Sequence, residues 1–422
     1  MLLGGRRKQM DMLRSAGEKE ASALTVPVCS RTVKGTAFRF AKATAAPFRH
    51  VGNGVSAGLG RFSGQKGPGM RIRASQRLLE RRARCGGHNG YRSVSLKKFH
   101  ILCIRCDRIG DMLVSTPVIH RLRELYPDAV LDVIASPLGA VALEDNPDVS
   151  RLFIYDKKSA ASWLRLLPHL LEPHDLVVNF NAHSRTLCLL SALARGRKKG
   201  ALNQGRLAPW SGAPEDGEHY SGVMLRELEA EFQLPHDEHP DISIRFAVPE
   251  AVEKAVRETY PPVAGLRRVG IFIGNIKKTG LRWPIEKFVE LTKVLLDKNA
   301  DVDVWIVAGE SDVPLLEAYR GMEHPRLHQF IGKKSLQHTA AFLKTCDAFV
   351  TCTSSPQHLA GAVKVPTVSI TYPWSETLWT PRGSLNFSAV SKVNDDVRDI
   401  PVREVYETLD KTMQGTLTPW TD

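Results

Sequence analysis

Apolar and polar positions alternate between two kinds of segment from residue 98 onward: short runs apolar on both faces, and longer stretches with helical spacing. Residues 99–105 (FHILCIR) form the first apolar run, and a helix is expected over 111–125, ended by Tyr126-Pro127-Asp128. A strand is predicted over 130–134, a short helix over 138–144, and a third strand over 151–156. A helix over 162–171, a strand over 175–180 and a helix over 185–194 follow. Strands this apolar suit a buried parallel sheet. Residues 203–220, rich in Gly and Pro, read as a surface loop, and a helix over 223–232 precedes an extended linker, PHDEHPDISIRFAVP.

The pattern then restarts. Residues 269–296 repeat the strand, turn and helix that open at Ile101. Further strands are predicted over 302–309, near 328–331, over 348–352 and over 367–370. Helices are expected over 284–296, 313–319, 335–344 and 356–363, and a terminal helix over 402–413 is expected to pack back across the first domain. A βαβ unit opened twice predicts an α/β chain with two Rossmann-like, doubly wound domains facing one cleft. The boundaries are 1–97 for a basic extension, 98–245 for the first domain and 246–422 for the second. No repeat of solenoid length appears.

Charge is unevenly spread, which changes how the net +13 reads. Residues 1–98 hold 21 Lys and Arg against 4 Asp and Glu, while the remainder holds 37 against 41. The basic balance belongs to the leader, so whole-chain charge gives no argument for nucleic acid. Arg81-Arg82-Ala83-Arg84 lacks the aromatic residues of a base-stacking platform. The leader has no continuous apolar signal core; it has the Arg- and Ser-rich look of a transit peptide, or of a disordered extension ahead of a start nearer Met70. Residues 76–85 within it could form a short basic amphipathic helix, although a solvated tail is the plainer reading. No apolar run reaches the length of about 18 residues that a bilayer span needs.

Seven cysteines without a regular framework point to reduced thiols and a cytoplasmic setting. Cys85-x2-His88 followed by Cys103-x2-Cys106 has the spacing of zinc ligands. Cys103 and Cys106 belong to an apolar strand, on opposite faces by its period of two, so buried or incidental thiols are the preferred reading.

Four segments sit where an open α/β sheet places chemistry, at the carboxyl ends of strands. In Arg105-Cys106-Asp107-Arg108-Ile109-Gly110-Asp111, Gly110 allows a tight turn and Asp111 enters a helix; it either caps that helix or acts as a general base on an acceptor hydroxyl. Thr353, Ser354 and Ser355 run into a helix whose free N–H groups suit a diphosphate, with Pro356 in the first turn and His358 one turn in. His358 would touch a phosphate or simply pack. Lys277, Lys278 and Arg282 form a basic loop that would neutralise a leaving diphosphate or stay solvated, and Trp283-Pro284 anchors the next helix. Glu310 follows another strand, where a carboxylate can receive ribose hydroxyls or cap a helix. Asp301-Val302-Asp303 has the DxD spelling of metal-dependent sugar transferases, but at the start of a strand it is expected on the surface. No G-x-G-x-x-G follows the first strand, which argues against a dinucleotide-dependent oxidoreductase.

These pieces in this order resemble glycosyltransferase family 9, the heptosyltransferases of lipopolysaccharide core assembly. The likeness spans roughly residues 98–415. It rests on IRCDRIGDMLVSTPVIHRLRELYPDA, HDLVVNFNAHSRTLCLLSALARGRKKG, LRWPIEKFVEL and SSPQHLAGAVKVPTVSITYPWSETLWTPRG. The resemblance implies a GT-B fold, metal-independent inverting transfer without a cofactor, and Asp111 as the catalytic aspartate. It further implies a nucleotide-diphosphate sugar as donor, such as ADP-heptose, and a lipid-linked glycan as acceptor. A cytoplasmic protein in peripheral contact with the inner membrane would follow. The family's aspartate, Ser or Thr and glycine ahead of the proline are Thr353, Ser354 and Ser355 here, and its lysine two residues before the tryptophan is Leu281. A non-catalytic relative that binds a glycan or nucleotide is the alternative. Oligomeric state is left open.

Overall fold

The computed structural model describes residues 98–202, 218–274, 281–333, 335–382, 385–393 and 396–415. All fall within one compact unit, Ser93–Asp422. The first half builds β1 (His100–Arg105), α1 (Ile109–Leu113), α2 (Thr116–Leu125), β2 (Val130–Ala135), α3 (Pro137–Ala140), β3 (Arg151–Ile154) and α4 (Ala160–Leu171). It continues through β4 (His174–Asn179), α5 (Arg185–Leu193), β5 (Gly196–Ala201) and α6 (Tyr220–Phe232). These strands form one parallel sheet in the order β3-β2-β1-β4-β5.

After α7 (Glu250–Thr259), the second half holds β6 (Arg267–Phe272), α8 (Ile285–Lys298), β7 (Val302–Gly309), a 3-10 helix (Glu310–Tyr319), β8 (Leu327–Gly332) and α9 (Leu336–Leu343). Then come β9 (Ala348–Cys352), α10 (Ser355–Ala362), β10 (Thr367–Thr371), α11 (Pro373–Trp379), β11 (Asn386–Val390) and α12 (Val402–Met413). Its sheet is also parallel, in the order β11-β10-β9-β6-β7-β8. In both sheets the first strand of the half lies inside the sheet and the order reverses beside it, so a crevice opens at the carboxyl ends there.

Several expectations are corrected. The helix expected over 111–125 is broken into α1 and α2. Pro117, in the first turn of α2, cannot donate to the carbonyl of Leu113, and its ring would crowd that turn. The Ser115 and Thr116 hydroxyls donate instead to the carbonyls of Asp111 and Leu113 at 2.7 Å each. The terminal helix α12 does not cross the first half; it packs on α8 and on β9, β10 and β11 of the second sheet. Asp303 is not on the surface: it is 2% exposed and held by Arg268 at 3.7 Å and His328 at 2.9 Å, while Asp301 is exposed. That motif is an ion-pair buttress beneath the second sheet. Strands β5 and β11 and helices α7 and α11 were not expected.

Two core clusters fill the faces of single sheets. One gathers Leu102, Ile104, Val177, Leu166 and Leu190 under α4 and α5, and the other Ile271, Trp283, Phe288 and Ile306 under α8. A third runs through both halves, from Ile101 and Val133 to Phe330, Phe342 and Leu359. Cys103 and Cys106 face different clusters, as their spacing predicts. Cys103, Cys346 and Cys352 are buried and Cys188 is exposed. Cys85 and His88 lie outside the described residues. His100, Asp132 and Glu172 place their ligand atoms within 4.8 Å of one another. Arg151 already spans the two carboxylates at 2.5 and 2.7 Å, which makes the group an ion-pair network at the foot of the first sheet. Among the described residues no helix is long and apolar enough to cross a membrane.

Candidate active site

The turn after β1 and the turn after β9 meet across the crevice. Asp107, Arg108, Gly110 and Asp111 from the first line a cavity of about 570 Å³ with Thr353, Ser354, Ser355 and His358 from the second. Tyr372, Trp374, Ser375 and Trp379 close one side, and Leu281 another. The approach is close because residue 110 has no side chain. A Cβ there would lie 3.3 Å from both Ser355 Oγ and His358 Cδ2.

Asp111 caps its helix, and its carboxylate also faces the cavity. Its Oδ2 accepts the Arg108 backbone N–H at 3.2 Å, which caps α1. Its Oδ1 points to Arg105 at 3.9 Å, and the side chain is 35% exposed, so the carboxylate keeps a face to the cavity. Arg105 opens the same segment, but as one arginine at the end of an apolar run it takes no role from the sequence. It is 1% exposed, pairs with Asp107 at 3.5 Å, donates to the Phe180 carbonyl at 3.4 Å, and lies over the Phe180 and Tyr220 rings. Burial works against its charge, but Tyr220, Asp107 and Asp111 more than offset that and hold its pKa above the ordinary value. A buried guanidinium thus lies within ion-pair range of both aspartates of the turn.

On the opposite wall, α10 starts without a side-chain cap. Ser354 is its extended N-cap residue, yet its hydroxyl donates to the Cys352 carbonyl at 2.9 Å and meets Thr351 Oγ1 at 3.2 Å. Pro356 has no N–H and the Gln357 N–H donates to the Ser354 carbonyl at 3.1 Å, so the Ser355 N–H and the positive end of the helix are what the first turn offers a ligand. Thr353 Oγ1 is joined by Thr371 Oγ1 at 2.9 Å and by Ser375 Oγ at 3.1 Å, so three hydroxyls gather at the position where the sequence departs from the resembled pattern. His358 is 4% exposed and its Nδ1 has no hydrogen-bond partner. Burial pushes its pKa down to about 4 against the pull of Asp111, leaving the imidazole neutral. His219 is driven down to about 3 by burial, by His358 and by Arg382. The Tyr220 and Trp379 rings meet at 4.5 Å with a tilt of 34° and join the start of α6 to α11.

The structure brings Asp111, Thr353, Ser354, Ser355 and His358 together. Arg282 is partly buried just before Trp283, with Nε and Nη1 lacking hydrogen-bond partners and its charge felt by Cys352 at the end of β9. Glu310 is exposed at the end of β7 and does not line this cavity. Lys277 and Lys278 lie outside the described residues. Trp283 is wholly buried and donates from Nε1 to the Ile400 carbonyl at 3.0 Å, so it anchors the helix entry as expected. A second cavity, of about 580 Å³, adjoins the first through Asp107 and Arg108. It is walled by Ser136, Tyr155, Lys157, Lys158 and Thr186 at the carboxyl ends of the first sheet.

Residues 163–395 match the family model described as glycosyltransferase family 9 (heptosyltransferase). That span holds the α10 wall and leaves Asp111 outside it. Lipopolysaccharide heptosyltransferase 3 of Escherichia coli is 25% identical over 321 residues, covering 70% of this chain and 89% of that protein. Lipopolysaccharide heptosyltransferase 2 of Salmonella typhimurium is 22% identical over 306 residues, covering 67% and 85%. Among solved structures, a family 9 glycosyltransferase from Veillonella parvula superposes with a TM-score of 0.65 at 16% identity, covering 75% of this chain and 98% of its own. The E. coli ADP-heptose lipopolysaccharide heptosyltransferase II gives 0.60 at 18%, covering 75% and 99%. These superpositions establish the fold, two Rossmann-like halves in the GT-B arrangement.

Proposed function

The chain belongs to glycosyltransferase family 9, the heptosyltransferases, and on that premise we propose that its cavity transfers a sugar from a nucleotide diphosphate to a glycan hydroxyl with inversion. The observation that carries the reading is the meeting of Asp111 with the open N-terminus of α10 in one cavity.

Asp111 takes the proton of the acceptor hydroxyl as that oxygen attacks the anomeric carbon. The bond from that carbon to the diphosphate oxygen breaks, and its electron pair leaves with the diphosphate. The negative charge that develops there meets the Ser355 N–H and the positive end of α10, the Thr353, Ser354 and Ser355 hydroxyls, and Arg282. Lys277 and Lys278 are proposed to add to that charge from the neighbouring loop, and Glu310 to receive the ribose. The donor set is cationic and hydroxylic, which suits charge stabilisation without a metal ion or other cofactor. His358, neutral and buried, offers its Nδ1 as a hydrogen-bonding group rather than as a charge.

The donor is proposed to be an ADP-sugar such as ADP-heptose. The acceptor is proposed to be a lipid-linked lipopolysaccharide core glycan lodged in the adjoining cavity, reached by a cytoplasmic protein lying against the inner membrane. The E. coli and Salmonella relatives named above support this reading. Calorimetric titration with ADP, UDP and GDP, with Asp111→Ala alongside, tests it. Selective ADP binding that survives Asp111→Ala, together with transfer that does not, is expected. Preference for UDP or GDP keeps the enzyme class and removes heptose, and no binding by any diphosphate would leave a non-catalytic relative.

A further inference from the structure

Helices α4 and α5 touch each other over one face of the first sheet, and both are apolar on the side turned away from it. In α4, Leu166 and Leu170 are buried, while Leu164, Leu167 and Leu171 are 72%, 43% and 54% exposed. Their spacing of three, four and seven makes a single outer stripe. In α5, Leu187 and Leu190 are buried, while Leu189 and Leu193 are 49% and 44% exposed. A surface helix of a globular protein normally turns polar residues outward. Single exposed leucines need no explanation, but five on two touching helices mark a contact surface.

Charge selects the partner. From residue 157 to residue 199 there are eight Lys and Arg and two Asp and Glu. Both acids are already paired, Glu172 with Arg151 and Asp175 with Arg197. Lys157, Lys158, Arg165, Arg185 and Lys199 are exposed around the leucines. A leucine stripe rimmed by unopposed cations complements an anionic lipid surface, with side chains in the acyl boundary and cations at the headgroups. A second copy on the same face would set like charges against each other across a two-fold axis.

The position also fits. Lys157 and Lys158 precede α4, Ser184 caps α5, and all three line the 580 Å³ cavity, with Leu138 63% exposed at its rim. We propose that the outer faces of α4 and α5 are the surface by which this chain lies on an anionic bilayer, so that the first-half cavity opens at the membrane. The inference deepens the proposed function, since it rests on a lipid-linked acceptor entering that cavity.

The cationic leader would bind anionic vesicles by itself, so the test holds every charge fixed. The full chain and a Leu164→Ser/Leu167→Ser/Leu171→Ser variant are sedimented with vesicles of phosphatidylcholine alone or mixed with phosphatidylglycerol. The variant's partition onto the anionic vesicles is expected to fall by about tenfold or more, given the apolar area withdrawn. Equal partition of the two proteins overturns the proposal, because the contact then belongs to the leader. A lipid-free dimer that the variant dissolves also overturns it, in favour of a second copy. Unchanged melting temperature and nucleotide binding confirm that the variant is folded. If neither protein binds nucleotide, the transferase reading fails while the vesicle comparison still stands.

Discussion

At the scale of single residues, the helix-capping duty of Asp111 and the general-base duty proposed for it can be separated. Asparagine also accepts a backbone N–H at a helix start, so Asp111→Asn should cost less than about 1 kcal/mol of stability. Transfer should fall by roughly 10²–10⁴-fold, the usual worth of a general base, with diphosphate binding retained. A thermal melt and a single-turnover assay read the two effects. The buried histidines give a second prediction. His358 and His219 titrate near 4 and 3 in the fold but near 6.5 when unfolded, so the unfolded chain binds more protons below pH 6.5. Their contribution is intact above that pH and is lost as pH falls toward 4, on the order of 1.4 kcal/mol for each tenfold difference in proton affinity between the folded and unfolded chain. Denaturant midpoints measured from pH 7 to pH 4 should fall, and His358→Gln should flatten the slope. The sequence placed Asp111, Thr353, Ser354, Ser355 and His358 at strand ends and helix entries, where backbone geometry puts chemistry. It could not show the role of Arg105 or the hydroxyl trio around Thr353, because Phe180 and Tyr220, and Thr371 and Ser375, reach them from parts of the chain far away in sequence.

Among elements, the contact of α1 with α10 depends on Gly110. A methyl group there meets Ser355 Oγ and His358 Cδ2 at 3.3 Å, closer than such atoms normally rest. Gly110→Ala should therefore wedge the two turns apart by a few tenths of an ångström and lower transfer about tenfold, with overpacking costing at most roughly 1–3 kcal/mol. Removing the opposing hydroxyl in Gly110→Ala/Ser355→Gly should restore part of the lost stability, and denaturation midpoints of the single and double variants decide it. Trp283→Ala would empty a fully buried site at the entry of α8 and should cost about 3–5 kcal/mol by chemical denaturation. The inner strands β1, β2, β4, β6, β7, β9 and β10 were legible because both of their faces are buried, which writes a largely apolar run. β5, GRKKGA, was not legible: it is an edge strand whose polar positions look outward, so its sequence reads as a loop. α7 follows Pro249 and carries two glutamates in its first turn, and only Val256 of its length is buried, so its periodicity has little to show.

For the whole molecule, the third core cluster joins the halves. Ile101 and Val133 beneath one sheet belong to the same buried group as Phe330 and Phe342 beneath the other. Scanning calorimetry should therefore show the two halves melting as one transition, and two resolved transitions would contradict a shared core. The cysteines carry a different consequence. Burial pushes the thiols of Cys106, Cys346 and Cys352 up to about 12, and that of Cys103 higher still. At neutral pH such groups hold their protons and are poor nucleophiles. Among the described residues, oxidants and alkylating reagents should pass over them and modify Cys188, the exposed thiol of α5. With Cys29 and Cys85 of the leader replaced by serine, one spectroscopic label could then be installed at Cys188 without disturbing the interior.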